Sequence, residues 1–462
     1  MTGTAVVWFR RDLRVRDQPT FLAAADAAPR ALALFVLDDA LLAPSGAARE
    51  TFLYRNLRTL DDALGGRLLV VRGDPADTVP RVAAAVGAAT VHVAADFGPY
   101  GARRDDAVGT ALAADGRELV RTGSPYAVAP GRVRKADGEP FRVFTPFRRA
   151  WLAHGWRAPA RTDASTVTWL DPAGSGRGLR AVRIPDDVAV DAELPAAGED
   201  AALGRWTGFL DASMRGYAAR RDRPDLPGTS RLSPYLKFGL VHPRTLLADL
   251  AGRRGEAADR FRTELCWREF HADVLHHRPE SARENHDRAF DALPLASGAT
   301  ARRAFDAWRD GRTGYPIVDA GMRQLREQAW LHNRVRMIVA SFLVKDLHLP
   351  WWWGARHFMG LLVDGDLASN QHGWQWTAGS GTDAAPYFRI FNPVAQGERY
   401  DPDGDYVRRF VPELRDVPGK AVHQPWRLPG GVPSGYPDRI VDHAEERQVA
   451  LEGFQRVKAA RR

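Results

Sequence analysis

The first 130 residues alternate short β-rich apolar runs with Ala- and Arg-rich helical stretches, and that rhythm leaves few folds open. Residues 5–9, 31–37, 67–71 and 91–94 are continuous runs of the kind buried on both faces of a sheet. Segments near residues 20–28, 48–64, 75–87 and 101–115 lie between them and read as helices. Strands and helices in alternation predict an α/β domain with a parallel, Rossmann-like sheet over residues 1–130. No Gly-x-Gly-x-x-Gly follows the first strand, so a dinucleotide fingerprint is absent.

Pro, Gly, Asp and Ser then punctuate residues 131–198, where little periodicity survives. A connector of this length is uncommon inside a compact domain and reads as an interdomain linker. From 199 to 462 the pattern is helical, with apolar residues at three- and four-residue spacing over 258–277 and 317–347. Ten of the 14 tryptophans lie in this half.

At 462 residues the chain has room for two or three sizeable cores. Lys and Arg number 65 against 57 for Asp and Glu, a net charge of +8 that favours a polyanionic partner without proving one. The single cysteine, Cys266, forbids an internal disulfide and fits a reducing cytoplasm. No basic region precedes an apolar stretch at the N-terminus, and no apolar window approaches membrane-spanning length. No metal is expected, and a monomer is.

Chemistry concentrates in four places. Asp364-Gly365-Asp366-Leu-Ala-Ser-Asn370 runs on to Trp374 and Trp376, and through Gly381 to Pro393. Acids opening a turn accept hydrogen bonds from ribose or adenine, an Asn holds a ring nitrogen, and paired indoles offer stacking faces, so the run reads as a site for a large aromatic cofactor. Tyr217 to Gly239 sets Thr229, Ser230, Arg231, Leu232 and Ser233 after Gly228 and before a helical run, which is either an anion site or a plain N-cap. Glu264, Trp267, Arg268 and His271 share one helical face, a pattern that also fits a surface acid beside a core aromatic. Asn333 and Met337 share a face four residues apart, with Arg334 and Arg336 beside them; an interior Met is also ordinary core filling.

Taken together, these strings resemble the DNA photolyase and cryptochrome family over nearly the whole chain, most closely from 217 to 419. The resemblance implies an all-α FAD-binding domain and, more narrowly, a class I photolyase for cyclobutane pyrimidine dimers. In such enzymes excited reduced anionic FAD gives an electron to a dimer flipped out of the duplex, the ring splits, and the electron returns. FAD contacts fall by resemblance on Tyr217, Thr229, Ser230, Arg231, Leu232, Ser233, Phe261, Arg268, Asp364, Gly365, Asp366 and Asn370, with Asn370 facing flavin N5. Arg336 is expected to pair bidentately with Asp364. Glu264, Trp267, Asn333, Met337 and Trp376 would hold the dimer. Arg221, Arg268, His271 and Arg334 would join them on DNA, binding phosphates of single or double strands without reading sequence.

Trp374 and Trp351 correspond to the inner and middle members of the family's electron-transferring tryptophan chain. The outer member is missing, because no Trp occurs between 267 and 308; Trp308, Trp352 and Trp353 are the candidates to replace it. For the antenna, Arg49, Asp96 and Lys237, with the strand end Phe35-Val36-Leu37-Asp38, resemble members using 8-hydroxy-5-deazaflavin. The Asn-Glu pair of methenyltetrahydrofolate users is absent near residues 99–103. Two other readings stand: a blue-light receptor that signals to a protein, and a photolyase for (6-4) products, whose histidines are replaced here by Asn333 and Met337.

Overall fold

A computed structural model describes residues 3–174, 181–384, 386–387 and 389–461. Ala385 and Phe388, within the run leading to Pro393, and part of the expected linker lie outside the described residues. The chain forms two compact units, one of residues 1–190, 195–212 and 230–279, the other of 191–194, 213–229 and 280–462.

The first unit is built on five parallel strands in the order β3-β2-β1-β4-β5: β1 Thr4–Phe9, β2 Arg30–Leu37, β3 Leu68–Arg72, β4 Ala88–Val93 and β5 Glu118–Arg121. Four match the apolar runs; β5, only four residues with two exposed, carries too weak a pattern to read. Helices α1 Pro19–Ala27, α2 Ala47–Ala63, α3 Pro75–Ala85 and α4 Pro99–Ala114 alternate with the strands. Val6, Trp8, Leu34, Val79, Val91 and Val108 meet in the core beneath them.

The expected linker is more ordered than its composition implies. It contains α5, Phe144–His154, whose Phe144, Phe147 and Trp151 are buried at helical spacing. Further on it is stitched to the sheet, with the Ala31 amide donating to the Thr168 carbonyl at 3.0 Å and the Val182 amide to that of Val70 at 2.8 Å. It then follows α2, where the Thr51 hydroxyl donates to the Val188 carbonyl at 2.8 Å and the Asn56 side chain accepts from the Gly198 amide at 2.7 Å.

Contacts do not divide the chain at residue 199. Helices α6 Glu199–Ala212, α7 Pro243–Leu250 and α8 Glu256–His277, and the short helix Ser233–Phe238, belong to the sheet-bearing unit. The physical reason is a polar seam between residues 13–17 and 238–244. Leu13 donates its amide to Phe238 at 3.2 Å, Arg14 donates to the Gly239 carbonyl at 3.0 Å, and Arg244 pairs with buried Asp17 at 2.7 Å. Gly239 is required there, since at φ +67° a Cβ would fall 1.9 Å from the Arg11 carbonyl oxygen.

The second unit is helical: α9 Gly298–Arg309, α10 Pro316–Gln328, α11 Asn333–Lys345, α12 Trp351–Leu361, α13 Leu367–Ala378, α14 Pro393–Tyr400 and α15 His443–Ala460 are its longer helices. The periodic stretch 317–347 is two helices, broken where Ala329 turns left-handed at φ 47°. Ile317, Leu325, Val335, Phe342, Phe358 and Trp374 share its core. Among the described residues, no helix is long and apolar enough to cross a membrane.

Candidate functional site

On α8 of the first unit, Glu264, Trp267, Arg268 and His271 are half-buried. Trp267 lies face to face with Phe144, ring centroids 3.6 Å apart and planes within 7°. One indole face is therefore taken by the protein, which fixes the ring. His271 flanks the same indole at 5.5 Å. Beneath them, buried Glu269 accepts from the Ala127 amide at 2.5 Å, the Val128 amide at 3.0 Å and the Trp151 indole N–H at 2.7 Å. Burial pushes its carboxyl up, opposed by those donors. These bonds clamp α8 to α5 and to segment 127–128, positioning Phe144 under Trp267.

Arg268, expected to contact FAD and DNA, is anchored to two backbone carbonyls. Its two terminal nitrogens donate to the Pro125 and Leu236 carbonyls at 3.1 and 3.2 Å, and the guanidinium lies 4.7 Å from the Tyr126 ring centroid. Those two bonds use part of a five-donor guanidinium and orient the side chain. Phe261 is buried among Trp206 and Phe209, at 5.1 and 5.5 Å. Arg231 adopts φ 51° between half-buried Ser230 and buried Leu232, just before Ser233 begins its short helix.

The expected antenna residues belong to the end of β2 (35–38), α2 (Arg49), the segment after β4 (Asp96) and the short helix 233–238 (Lys237). Asp38 caps the turn after β2 through the Ala40 amide at 3.0 Å and accepts from the Tyr100 hydroxyl at 2.5 Å. Phe35, Val36 and Leu37 are buried, as is Arg49; Lys237 is half-buried. Burial acts to raise the Asp96 carboxyl, but Arg11, Arg104 and Arg10 together hold it below the usual range.

In the second unit, Asn333, Arg334 and Met337 come together on the first turns of α11, which His332 caps through the Arg334 amide at 3.2 Å. The Asn333 amide lies 3.9 Å and Arg334 Nη1 3.8 Å from the Met337 sulfur. Arg334 also pairs with Asp222 at 3.0 Å. Tyr217 is buried, with the Arg221 guanidinium 5.6 Å from its ring centroid. Gly228 lets the 217–229 turn close, since a Cβ would sit 2.6 Å from the Arg220 carbonyl oxygen. Thr229, at the end of that turn, is half-buried.

The Arg336–Asp364 pair forms, but not bidentately. Arg336 Nη2 meets Asp364 Oδ2 at 2.8 Å, while its Nε donates to the Leu331 carbonyl at 2.8 Å. That division leaves Asp364 Oδ1 buried with no partner among the described residues. A buried carboxylate oxygen without a donor is costly, and a hydroxyl or amine from a ligand would supply one. Gly365 follows it, buried, and Asp366 caps α13 through the Ser369 amide at 3.0 Å. Buried Asn370 donates to the Ala355 carbonyl at 3.1 Å and to Gln371 at 2.8 Å, which leaves its oxygen as the group available to a ligand donor. This donor and acceptor set fits the polar edges of a bound FAD.

Trp374 is buried and Trp376 half-buried on α13. Trp374 has Phe358 at 5.0 Å and fully buried Trp308 at 6.1 Å. Trp351 donates its indole N–H to Asn285 at 2.9 Å and meets Trp352 edge-on at 5.9 Å. Phe144 was not foreseen, although Phe144, Phe147 and Trp151 recur at the spacing of a helical face.

Residues 5–165 match the family described as DNA photolyase, and residues 261–456 match the FAD binding domain of DNA photolyase. The chain belongs to the DNA photolyase family. A deoxyribodipyrimidine photo-lyase of Streptomyces griseus is 44% identical over 96% of this chain and 98% of its own length. Among solved structures, a class III photolyase from Agrobacterium tumefaciens has a TM-score of 0.89 at 38% identity, covering 99% of this chain and 98% of that one. A Synechocystis cryptochrome gives 0.88 at 26% identity, with 98% and 99% covered. A Sulfolobus tokodaii photolyase holding two FAD molecules gives 0.85 at 28%, with 98% and 99% covered.

Proposed function

We propose that this chain is a deoxyribodipyrimidine photo-lyase that repairs cyclobutane pyrimidine dimers in UV-damaged DNA under light. The observation that carries this reading is the near full-length 44% identity to a relative of that name. Bound reduced FAD, excited by near-UV or blue light, would supply the electron that splits the dimer.

The protein's own residues then have separable tasks. Glu264 donates to or orders hydrogen bonds at the pyrimidine carbonyls, a preorganised electrostatic role. Trp267, backed by Phe144, and Trp376 present flat faces to the extruded bases. Asn333 and Met337 line the lesion, and Arg221 and Arg334 bind phosphates. Tyr217, Thr229, Ser230, Arg231, Leu232, Ser233, Phe261, Arg336, Asp364, Gly365, Asp366 and Asn370 hold FAD; Asp364, with its unpartnered oxygen, is the acceptor for a ribose or adenine donor.

Asn333 and Met337 favour the cyclobutane lesion over (6-4) products. We place the chain in class I with 8-hydroxy-5-deazaflavin at Arg49, Asp96, Lys237 and the 35–38 strand end. A class III relative at 38% identity names the alternative class and a neighbour with two FAD molecules an alternative antenna, and an absorption spectrum of purified protein separates 8-hydroxy-5-deazaflavin, methenyltetrahydrofolate and a second FAD. A cytoplasmic monomer completes the proposal.

Repair is tested by restoring a dimer-blocked oligonucleotide with reduced protein under blue light. Restoration that proceeds equally in the dark, or only on (6-4) lesions, would sink this reading.

A further inference from the structure

Tyr400 closes α14 with two guanidiniums against one phenol ring, Arg334 at 4.4 Å and Arg399 at 5.1 Å from its centroid. Arg334 arrives from the first turn of α11 and is also bound to Asp222 at 3.0 Å. Its Nη1 lies 3.8 Å from the Met337 sulfur, and its Nε is buried with no partner among the described residues. Three chain segments far apart in sequence, 222, 334 and 399–400, therefore meet at one cation.

The chemistry of this meeting is specific. A guanidinium on an aromatic face keeps its charge while losing freedom, so the ring sets its position without neutralising it. Asp222 does the opposite, because it occupies the cation that a phosphate would use. We propose that Tyr400 is a positioning residue that holds Arg334 toward nucleic-acid phosphate, and that Asp222 is a competing carboxylate that weakens the same contact. The inference rests on the DNA-repair reading and adds to it a built-in limit on affinity. An enzyme that must leave undamaged DNA is served by a phosphate contact that has to displace an acid first.

Removing one negative charge about 4–6 Å from a phosphate in high dielectric strengthens binding about three- to sixfold. Losing the ring support weakens it about two- to fivefold. The experiment uses full-length FAD-loaded protein and fluorescence anisotropy on undamaged and dimer-containing duplexes across a series of salt concentrations. Asp222→Asn should bind both duplexes tighter by the larger factor, and this gain should vanish in the Arg334→Ala background, where the salt slope itself drops by about 0.9. Tyr400→Phe should retain wild-type affinity and Tyr400→Leu should not, with FAD content unchanged in both. Tyr400→Leu that binds as tightly as Tyr400→Phe overturns the role given to Tyr400; if it fails to fold, Tyr400→Met, which also lacks a ring face, makes the same comparison.

An Asp222→Asn protein that binds no tighter, or gains equally without Arg334, overturns the inference while the repair reading stands. Wild-type protein without salt-dependent DNA binding overturns both.

Discussion

Two glycines on one helix should respond to the same substitution in opposite directions. Gly354 and Gly360 both lie within α12, where alanine is favoured over glycine by about 0.8–1.0 kcal/mol. At Gly360 an added Cβ meets nothing within 4 Å, so Gly360→Ala should collect that gain. At Gly354 the Cβ would fall 2.1 Å from Trp374 Cη2 and 2.6 Å from Cζ2 and Cζ3. The indole has little room to yield, since it is 3% exposed and flanked by Phe358 at 5.0 Å and Trp308 at 6.1 Å. Overpacking costs about 1–3 kcal/mol or more, and a rigid ring in a closed box argues for the upper end, leaving a net loss of about 2 kcal/mol after the helix gain. The two variants should then differ by about 3 kcal/mol, or roughly 6–12 °C in melting temperature for a unit of this size. Differential scanning of both proteins with saturating FAD makes the measurement. If the two melt together, helices α12 and α13 do not depend on that glycine for their approach.

Trp376→Ala should lose about 1–3 kcal/mol of lesion affinity while keeping undamaged DNA, whereas Arg221→Ala should weaken both; equal lesion preference in Trp376→Ala removes it from the clamp. Burial raises the Asp346 carboxyl from its ordinary 3.8 to about 6, against the pull of His443, whose Nδ1 lies 2.5 Å away. A raised acid contributes stability that is complete below about pH 4 and lost as pH rises through about 6, a fall of about 3 kcal/mol. Asp346→Asn keeps an acceptor and carries no charge, so its melting temperature should gain on wild type across that window; parallel curves would show that Asp346 does not titrate there. Trp374→Phe should abolish the tryptophanyl radical seen by flash absorption in oxidised, FAD-loaded protein while repair by chemically reduced protein persists. Undiminished radical in that variant refutes Trp374 as the inner member.

The sheet was legible because its strands are buried on both faces and therefore written as unbroken apolar runs, with 5–9 and 31–37 falling on β1 and β2 nearly to the residue. What composition hid was the partition of the chain. Helices α6 to α8 read as part of a separate helical half, yet α6 is held by the Val15 amide on Glu199, α7 by Asp17 on Arg244 and α8 by the 127 and 128 amides on Glu269, and such long-range bonds leave no signature in hydropathy. Side-chain roles divide in the same way. Asn333, Arg334 and Met337 were readable because helical spacing alone brings them together. Arg268 shares a helical face with Trp267 in projection, but its direction is decided by carbonyls at 125 and 236, which no spacing rule reaches.

The missing outer tryptophan is the place where structure adds most to sequence. Two indole paths begin on α12 and α13. Trp308 lies 6.1 Å from Trp374, fully buried, with its N–H on the Val339 carbonyl at 3.0 Å. An acceptor on that N–H stabilises positive charge on the ring, and the neighbouring His357, pushed down to about 4 by burial, adds none of its own near neutral pH. Beyond Trp308, however, the ring leading to Trp353 is Phe305, at 5.7 and 5.4 Å, and a phenyl ring is far harder to oxidise than an indole. Trp351 and Trp352 are instead in direct contact at 5.9 Å, Asn285 accepts the Trp351 N–H, and Trp352 is half-buried where Trp308 is sealed. With Trp374 and Trp351 taken as the inner and middle members of a hole-carrying chain, as the family resemblance implies, the contiguous pair Trp351 and Trp352 serves a hole that must reach solvent better. On this argument Trp352→Phe shortens the radical lifetime more than Trp353→Phe, and Trp308→Phe removes a side branch without closing the exit.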